Sequence, residues 1–235
     1  MSSFEDLSFF PGDFSGEVRL FPLPNLVLFP HVMQPLHIFE PRYRSLLEDA
    51  LASDRLIAMA LLESGWESDY EGRPPLWRTA CLGRVTTFHR QDDGTYNLLV
   101  LGLQRVKLLH ELEPRKLYRE AHVAICEDCY PASAEPMGRV LQQRLRNAFV
   151  RLLPLLPEAQ EQIDQLLAAD VPLGVLTDLI GFMLDIEIRQ KGSLLCELNV
   201  YRRAELLLEH LAAAAAGREK RSCLASDFPP RFSMN

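Results

Sequence analysis

The fold is decided by the stretch FPLPNLVLFP at residues 21–30, followed at residues 35–44 by PLHIFEPRYR. The pattern predicts an apolar strand, a turn rich in proline, a second short strand and then a helix. Proline cannot donate to a strand ladder, so Pro22 and Pro24 suit the edge of a sheet or a bulge. Pro41 suits the first residue of a helix, where its missing N–H costs nothing. Helical spacing of apolar residues then predicts one buried face, formed by Tyr43, Leu46, Leu47, Ala50 and Leu51.

Two kinds of pattern follow along the chain. Residues 55–125 carry short apolar or alternating runs typical of strands. Within them, Asp93-Gly94 predicts the tip of a hairpin that joins the strands around Val85 and Leu99. After residue 131 the apolar spacing changes to about 3.6 residues, which is typical of helices. Strands followed by helices predict an α+β fold.

Composition limits the class of protein. The chain has 235 residues, 48% of them hydrophobic and 24% charged, and a formal net charge of −7. An acidic balance disfavours nucleic acid as a partner, because nucleic-acid-binding proteins usually present a basic surface. No apolar run approaches the roughly 18 residues that a membrane span needs, so no membrane association is expected. The five cysteines are an odd number and favour free thiols, which predicts a cytoplasmic location.

Three blocks of sequence resemble the LON domain, the N-terminal substrate-recognition domain of Lon-type ATP-dependent proteases. The first is residues 21–43. The second comprises a glycine-containing strand, the Asp-Gly hairpin and a Gly-x-x-Arg strand, at residues 83–85, 93–98 and 102–106. The third lies in the helices at residues 190–197, with Arg202 or Arg203 and residues 206–208 after it. The resemblance covers roughly residues 18–211 and implies a PUA-like β-rich pseudo-barrel followed by a helical bundle.

The expected organisation has four parts. Residues 1–16 form a flexible N-terminal arm, and residues 17–130 form the PUA-like LON subdomain. Residues 131–217 form the helical subdomain, and residues 218–235 form a disordered tail. Gly217 is expected to end the last helix, because glycine tolerates the left-handed conformation that often closes helices.

The resemblance implies binding of unfolded or tagged protein segments, with a protease as a further partner, by a free-standing LON-domain protein. Catalysis is not expected, because no phosphate-binding G-x-x-x-x-G-K-[ST] loop and no G-x-S-x-G nucleophile elbow occur. No cofactor is expected either. Two alternatives stay open. PUA-like folds elsewhere bind RNA, although the acidic composition disfavours this; the chain could also be a structural assembly partner of a protease.

Few residues are candidates for a site. Trp66, Tyr70 and Trp77 lie in a long loop, where aromatic side chains are costly unless they pack or bind something. They are the candidate peptide-binding residues, and folding back over the barrel is the alternative. Cys126 and Cys129 form a C-x-x-C, but no second pair of ligands completes a zinc site, so no metal is expected. The preferred interpretation is two small residues that close the last strand.

Overall fold

The structure, a computed structural model, describes residues 14–70, 72–132, 135–150 and 171–222. This part contains six β-strands: β1 (Glu17–Leu23), β2 (Met33–Ile38), β3 (Leu56–Leu62), β4 (Leu76–Arg90), β5 (Tyr96–Glu111) and β6 (Arg119–Cys126). It also contains five α-helices: α1 (Pro41–Leu51), α2 (Glu135–Val150), α3 (Leu173–Met183), α4 (Ile188–Cys196) and α5 (Val200–Ser222). The predicted α+β class is confirmed. Most of the expected arm and tail lies outside the described residues.

The strands form one sheet that closes on itself. Its order is β2-β5-β4-β3-β1-β6, and β6 pairs in addition with β5. The long strand β5 makes this possible, because residues 96–101 pair with β2 and residues 105–111 pair with β6. Strands β1 and β3 are parallel, whereas the other pairs are antiparallel. The result is a barrel of five strands with β2 added beside one end of β5.

The predicted hairpin is present between β4 and β5. Val85 pairs with Val100, and the connecting turn contains Gly94 at a φ of +82°. Asp93 Oδ1 accepts hydrogen bonds from the backbone N–H (2.9 Å) and the hydroxyl (2.7 Å) of Thr95. These two bonds lower the pKa of the Asp93 carboxyl. The Asp-Gly pair therefore forms the tip of the hairpin, as predicted. The aspartate side chain stabilises the turn, and the glycine adopts its left-handed conformation.

Strand β3 shows how two cores share one sheet. All its residues are buried, because alternate side chains face opposite layers. Leu56, Ala58 and Ala60 point into the barrel, whereas Ile57, Met59 and Leu61 pack in the larger core with the helices. That larger core contains the predicted face of α1 as well as residues from β1 and α2 to α5.

A buried ionic cluster joins the barrel to the helices. Arg105 of β5 pairs with both carboxylate oxygens of Asp178 of α3, and these side chains are 2% and 1% exposed. Arg203 of α5 donates to Asp128 at 2.9 and 2.7 Å and lies 3.6 Å from Asp178. Two positive and two negative charges therefore balance. Arg105 and Arg203 both belong to blocks that resemble the LON domain, so part of that resemblance reflects how the two layers are held together.

The C-terminal helix differs from the expectation. Helix α5 continues through Gly217 to Ser222, so the predicted end at this glycine is wrong. The residues after it include arginine, glutamate and lysine, which have high helix propensity and offset the cost of one glycine. This helix begins after Asn199, whose Oδ1 caps it by accepting hydrogen bonds from the N–H groups of Tyr201 (3.1 Å) and Arg202 (3.2 Å).

Candidate functional site

The structure separates the three predicted aromatic residues into two places. Trp77 lies at the start of β4, half-buried against the larger core. Its ring faces Gly192 of α4 so closely that a Cβ at residue 192 would lie 2.9 Å from the ring. Glycine is therefore required there for the helix to approach the indole. This packing assigns Trp77 to the contact between barrel and helix, and a role for it in peptide binding stays a prediction.

Trp66 and Tyr70 lie together in the loop between β3 and β4. A single turn of 3₁₀ helix, Trp66–Asp69, brings the rings into an edge-to-face contact with centroids 5.3 Å apart. Both side chains are partly exposed. Arg42 fixes the pair to the start of α1, because its guanidinium stacks 4.6 Å from the Tyr70 ring and Nη1 donates to the Tyr70 carbonyl at 3.1 Å. The loop thus presents an ordered aromatic pair.

Glu40 is a site residue whose role sequence reasoning missed. It precedes α1, but its side chain does not cap the helix. Its carboxylate instead accepts hydrogen bonds from the Tyr70 hydroxyl at 2.8 Å and from Arg42 Nε at 3.0 Å. Burial and then this hydrogen bond raise the pKa of Tyr70, so the phenol stays protonated and continues to donate. No spacing rule connects Glu40 with a tyrosine thirty residues later; only the fold brings them together.

A cleft of about 210 Å³ opens beside Tyr70, which lines it, whereas Trp66 lies behind Tyr70 and is not a lining residue. We call it the loop cleft. It lies between the start of α1, the loop before β4 (residues 63–70 and 72–75) and the β5–β6 connection, residues 112–118. Its walls include Tyr43, Tyr70 and Tyr118. Tyr43 is buried and donates its hydroxyl to the Pro22 carbonyl at 2.9 Å. Pro22 is predicted to lie at a sheet edge or a bulge. The edge is confirmed, because this proline lies beyond the part of β1 that pairs with β6.

The β5–β6 connection is tied to α1. Tyr118 donates its hydroxyl to Asp49 at 2.5 Å, and Lys116 Nζ lies 3.0 Å from the same carboxylate. Lys116 also donates to the Tyr118 hydroxyl at 2.8 Å. The bond from Tyr118 and then that from Lys116 lower the pKa of Asp49. Both sides of the loop cleft are therefore attached to the same helix, which holds its width.

The charged residues that line the described cleft are all cations: Arg42, Arg73, Lys116 and Arg119. This differs from the acidic balance of the whole chain. Arg119 is buried and binds both oxygens of Glu111, with Nε 2.8 Å from Oε2. Its Nη1 donates to the Pro74 carbonyl at 2.8 Å. A cleft with tyrosine, proline and arginine surfaces can bind apolar and acidic groups of a peptide.

The open edge of the sheet is less suited to binding. Strand β2 pairs only with β5 among the described strands. Gly102 N–H donates to the Val32 carbonyl at 2.8 Å, so by alternation Gln34 and Leu36 also face β5. Pro35 then faces the open edge and lacks an N–H. An added strand would lose a ladder bond there, as in other protected edges.

The C-x-x-C lies away from the loop cleft. Cys126 ends β6, and Cys129 continues into a short bridge with Asn199, its N–H donating to the Leu198 carbonyl at 2.8 Å. Burial raises the pKa of Cys126, which disfavours a thiolate. In the described ranges, no three side chains of His, Cys, Asp or Glu are placed to hold a metal ion. Of the two residues between the cysteines, Asp128 contributes to the fold, because its carboxylate pairs with Arg203 and Arg105.

These observations define a small barrel domain that packs against a layer of helices and presents an ordered, solvent-open cleft. Residues 17–213 match the family model of the ATP-dependent protease La (LON) substrate-binding domain, and the chain belongs to this family. The resemblance in the three sequence blocks is thereby confirmed. Of the helices in the described segments, none is both long and apolar enough to cross a bilayer.

Related proteins support the assignment. Lon protease 1 of Bdellovibrio bacteriovorus is 29% identical over 197 residues, which is 84% of this chain and 24% of that protein. Lon protease of Dictyoglomus thermophilum is 27% identical over 199 residues, covering 85% and 24%. The chain thus spans about a quarter of the length of these curated relatives.

Solved structures show the same fold. The N-terminal domain of Mycobacterium avium complex Lon protease superposes with a TM-score of 0.67 at 17% identity, covering 83% of this chain and 98% of that one. A Lon N-terminal domain protein from Xanthomonas campestris gives 0.56 at 23% identity, covering 82% and 97%.

Proposed function

We propose that this protein is a non-catalytic recognition module that binds unfolded or tagged protein segments through the loop cleft. In this role it acts as an adaptor or substrate-recognition factor in protein quality control. The observation that carries the proposal is the partly exposed Trp66–Tyr70 pair, in which Tyr70 lines the cleft and is bonded to Glu40 and Arg42. Membership in a family of substrate-binding domains supports the same role.

The chemistry of the pair suits peptide binding. Tryptophan, tyrosine and arginine are the residue types that contribute most at protein interfaces. The two aromatic residues bury a large area at a low cost in side-chain entropy, and arginine adds directed hydrogen bonds. Tyr70 is held by Glu40 and Arg42, so part of the ordering cost is met before a ligand arrives. Trp66 packs on Tyr70 and keeps part of its surface exposed for an apolar side chain of the ligand.

The absence of catalysis and a cytoplasmic location are parts of the same proposal. The matching family model describes the substrate-binding domain of Lon proteases. Any proteolysis would then be carried out by a partner. The cysteines in the described ranges are free, as is usual in a reducing compartment.

A pair of tryptophan variants tests the proposal. We expect Trp66→Ala to weaken binding of a fluorescein-labelled unfolded client, reduced and carboxymethylated α-lactalbumin, by about fivefold or more, as for a residue central to an interface. Its melting temperature should stay close to that of the wild type. Trp77→Ala is the matched control: it should lower the melting temperature, because it removes packing against Gly192. Fluorescence anisotropy and thermal unfolding give the two readouts.

The outcomes separate the alternatives. Unchanged affinity in the stable Trp66→Ala variant would contradict a binding role for the Trp66–Tyr70 pair, the observation on which the proposal rests. No binding of the client by the wild type at high micromolar concentration would favour a structural role in assembly. Saturable binding of single-stranded RNA that displaces the client would favour the RNA-binding alternative.

A further inference from the structure

The four cations of the loop cleft differ in how fully their hydrogen-bond donors are used. Lys116 has three donors, and they meet Tyr118, Asp49 and Glu120 at 2.8, 3.0 and 3.3 Å. Arg42 donates from Nε to Glu40 and from Nη1 to the Tyr70 carbonyl, and Nη2 lies 2.8 Å from Glu40. These two side chains are therefore occupied in holding the walls of the cleft.

Arg73 and Arg119 share a single carboxylate, that of Glu111. Arg119 takes both oxygens in a bidentate pair and is buried. Among the described residues, the Arg73 side chain has two contacts, each of 3.4 Å, from Nη2 to Glu111 Oε2 and to the Leu112 carbonyl. Both distances exceed the usual range of about 2.7–3.2 Å for an N–H···O bond. Because a guanidinium carries five N–H donors, most of the capacity of Arg73 is unused.

Arg73 is also accessible from the cleft. It is one of the lining residues, and its side chain is 38% exposed. Two guanidinium groups share the Glu111 carboxylate at this point, and a second carboxylate is close, because Asp69 Oδ2 accepts the backbone N–H of Arg73 at 3.2 Å. What Arg73 offers a ligand is therefore its unused guanidinium donors.

An apolar surface borders this cation. Leu117, in the β5–β6 connection, lines the cleft and is 72% exposed. Pro114 and Pro74 line the same cleft. A leucine this exposed gains little from folding, and covering it would remove apolar area from water.

We propose that the loop cleft selects peptide segments in which a carboxylate lies next to an apolar side chain. Arg73 binds the carboxylate through its guanidinium fork, and Leu117 covers the apolar group. This inference rests on the proposed function and names its substrate class. The carboxylate can belong to an aspartate or glutamate side chain or to the end of a chain, because both present the same two oxygens.

Three labelled peptides of ten residues test the idea by fluorescence anisotropy. The first has phenylalanine followed by glutamate at its centre and an amidated end, and the second has glutamine in place of that glutamate. The third is the glutamine peptide with a free C-terminal carboxylate. We expect the wild type to prefer the glutamate peptide over the glutamine peptide by about tenfold, as for a charge-assisted hydrogen-bonded pair. Tighter binding of the third peptide than of the second would show that a chain end also serves.

Matched variants locate the selectivity. Arg73→Gln should remove the preference for glutamate, whereas Arg202→Gln, which removes the same charge from an exposed site on α5, should keep it. Leu117→Ser should weaken binding of both central peptides, and Leu109→Ser, at another exposed leucine, should not. Thermal unfolding of each variant establishes that it is folded.

The results separate this inference from the proposed function. If the wild type binds all three peptides with equal affinity, the protein recognises peptides without the selectivity proposed here. A preference for glutamate that survives Arg73→Gln would also overturn the assignment of Arg73. If none of the peptides nor the unfolded client binds, the proposed function itself fails.

Discussion

Asp178→Asn should destabilise the protein strongly, because it removes one charge from a closed buried cluster. In the wild type, both oxygens of Asp178 accept from Arg105, and Arg203 Nε lies 3.6 Å away. Arg105 and Arg203 are 2% and 0% exposed, so water cannot replace the lost partner. Asparagine has the same shape, but its amide group would direct N–H donors at a guanidinium that also has only donors.

The size of the effect follows from the burial of the partners. Removing one member of a buried ion pair typically costs about 3–5 kcal/mol, since the remaining charge is left uncompensated. Arg105 would retain Leu195 O at 2.9 Å and Asp128 at 3.4 Å, which limits the loss to this range. For a chain of this length, the expected decrease in melting temperature is about 6–20 °C. A loss of about 3–5 kcal/mol is a large fraction of the free energy of unfolding of a domain, which is roughly 5–15 kcal/mol.

Urea unfolding followed by circular dichroism measures the change in the free energy of unfolding and shows from the slope whether the unfolded state has altered. Arg202→Gln, next to Arg203 but exposed, is the control and should change the free energy of unfolding by less than about 0.5 kcal/mol. A double variant, Asp178→Leu with Arg105→Met, should recover part of the loss because no charge is then left unpaired at that place. A decrease below about 1 kcal/mol for Asp178→Asn would refute the reasoning that the cluster depends on charge balance.

Two further predictions concern the turn and the cleft wall. Gly94→Ala should lower the free energy of unfolding by about 1–2 kcal/mol in urea unfolding, because its φ of +82° is unfavourable for a residue with a Cβ; an unchanged midpoint would contradict this. Asp49→Asn should be less stable than the wild type at neutral pH. The bonds from Tyr118 and Lys116 place the folded-state pKa of Asp49 below its ordinary value of 3.8, so its contribution is present above that value and lost as the pH falls through the folded-state pKa. Melting curves from pH 7 down to pH 2 should therefore converge in acid, and a gap that persists there would argue against the assignment.

Much of the fold could be predicted because its signals are local. The proline of residue 41, the apolar spacing after it and the Asp-Gly pair each act within a few residues, through restricted backbone angles or side-chain periodicity. The structure has α1 at Pro41–Leu51 and a hairpin around Gly94, as these signals indicate. The end of α5 was less predictable, because a single glycine competes with a run of strong helix formers.

The candidate site was predictable only in part. Composition indicated that the aromatic residues of the long loop must pack or bind. It could not indicate which of them pack against the core and which stay exposed. Trp66 and Tyr70 lie in one contact, whereas Trp77, seven positions after Tyr70, lies against a helix more than a hundred residues further along the chain. The two positions differ because β4 begins at Leu76. Trp77 is therefore a strand residue, and the pleat of the sheet sets the direction of its side chain.

By itself, the sequence determined that strands are followed by helices, that α1 begins at Pro41 and that a hairpin turns at Asp93-Gly94. It also determined the resemblance to a substrate-recognition domain, and the barrel was implied by that resemblance alone. Tertiary structure alone decided which polar side chains meet across the fold. Glu40 with Tyr70, Arg73 and Arg119 with Glu111, and Arg105 with Asp178 are separated in the chain by between 8 and 73 residues. Such pairs form because closing the barrel and packing the helices brings their backbones together, and the low polarity around the buried ones then makes each partner necessary.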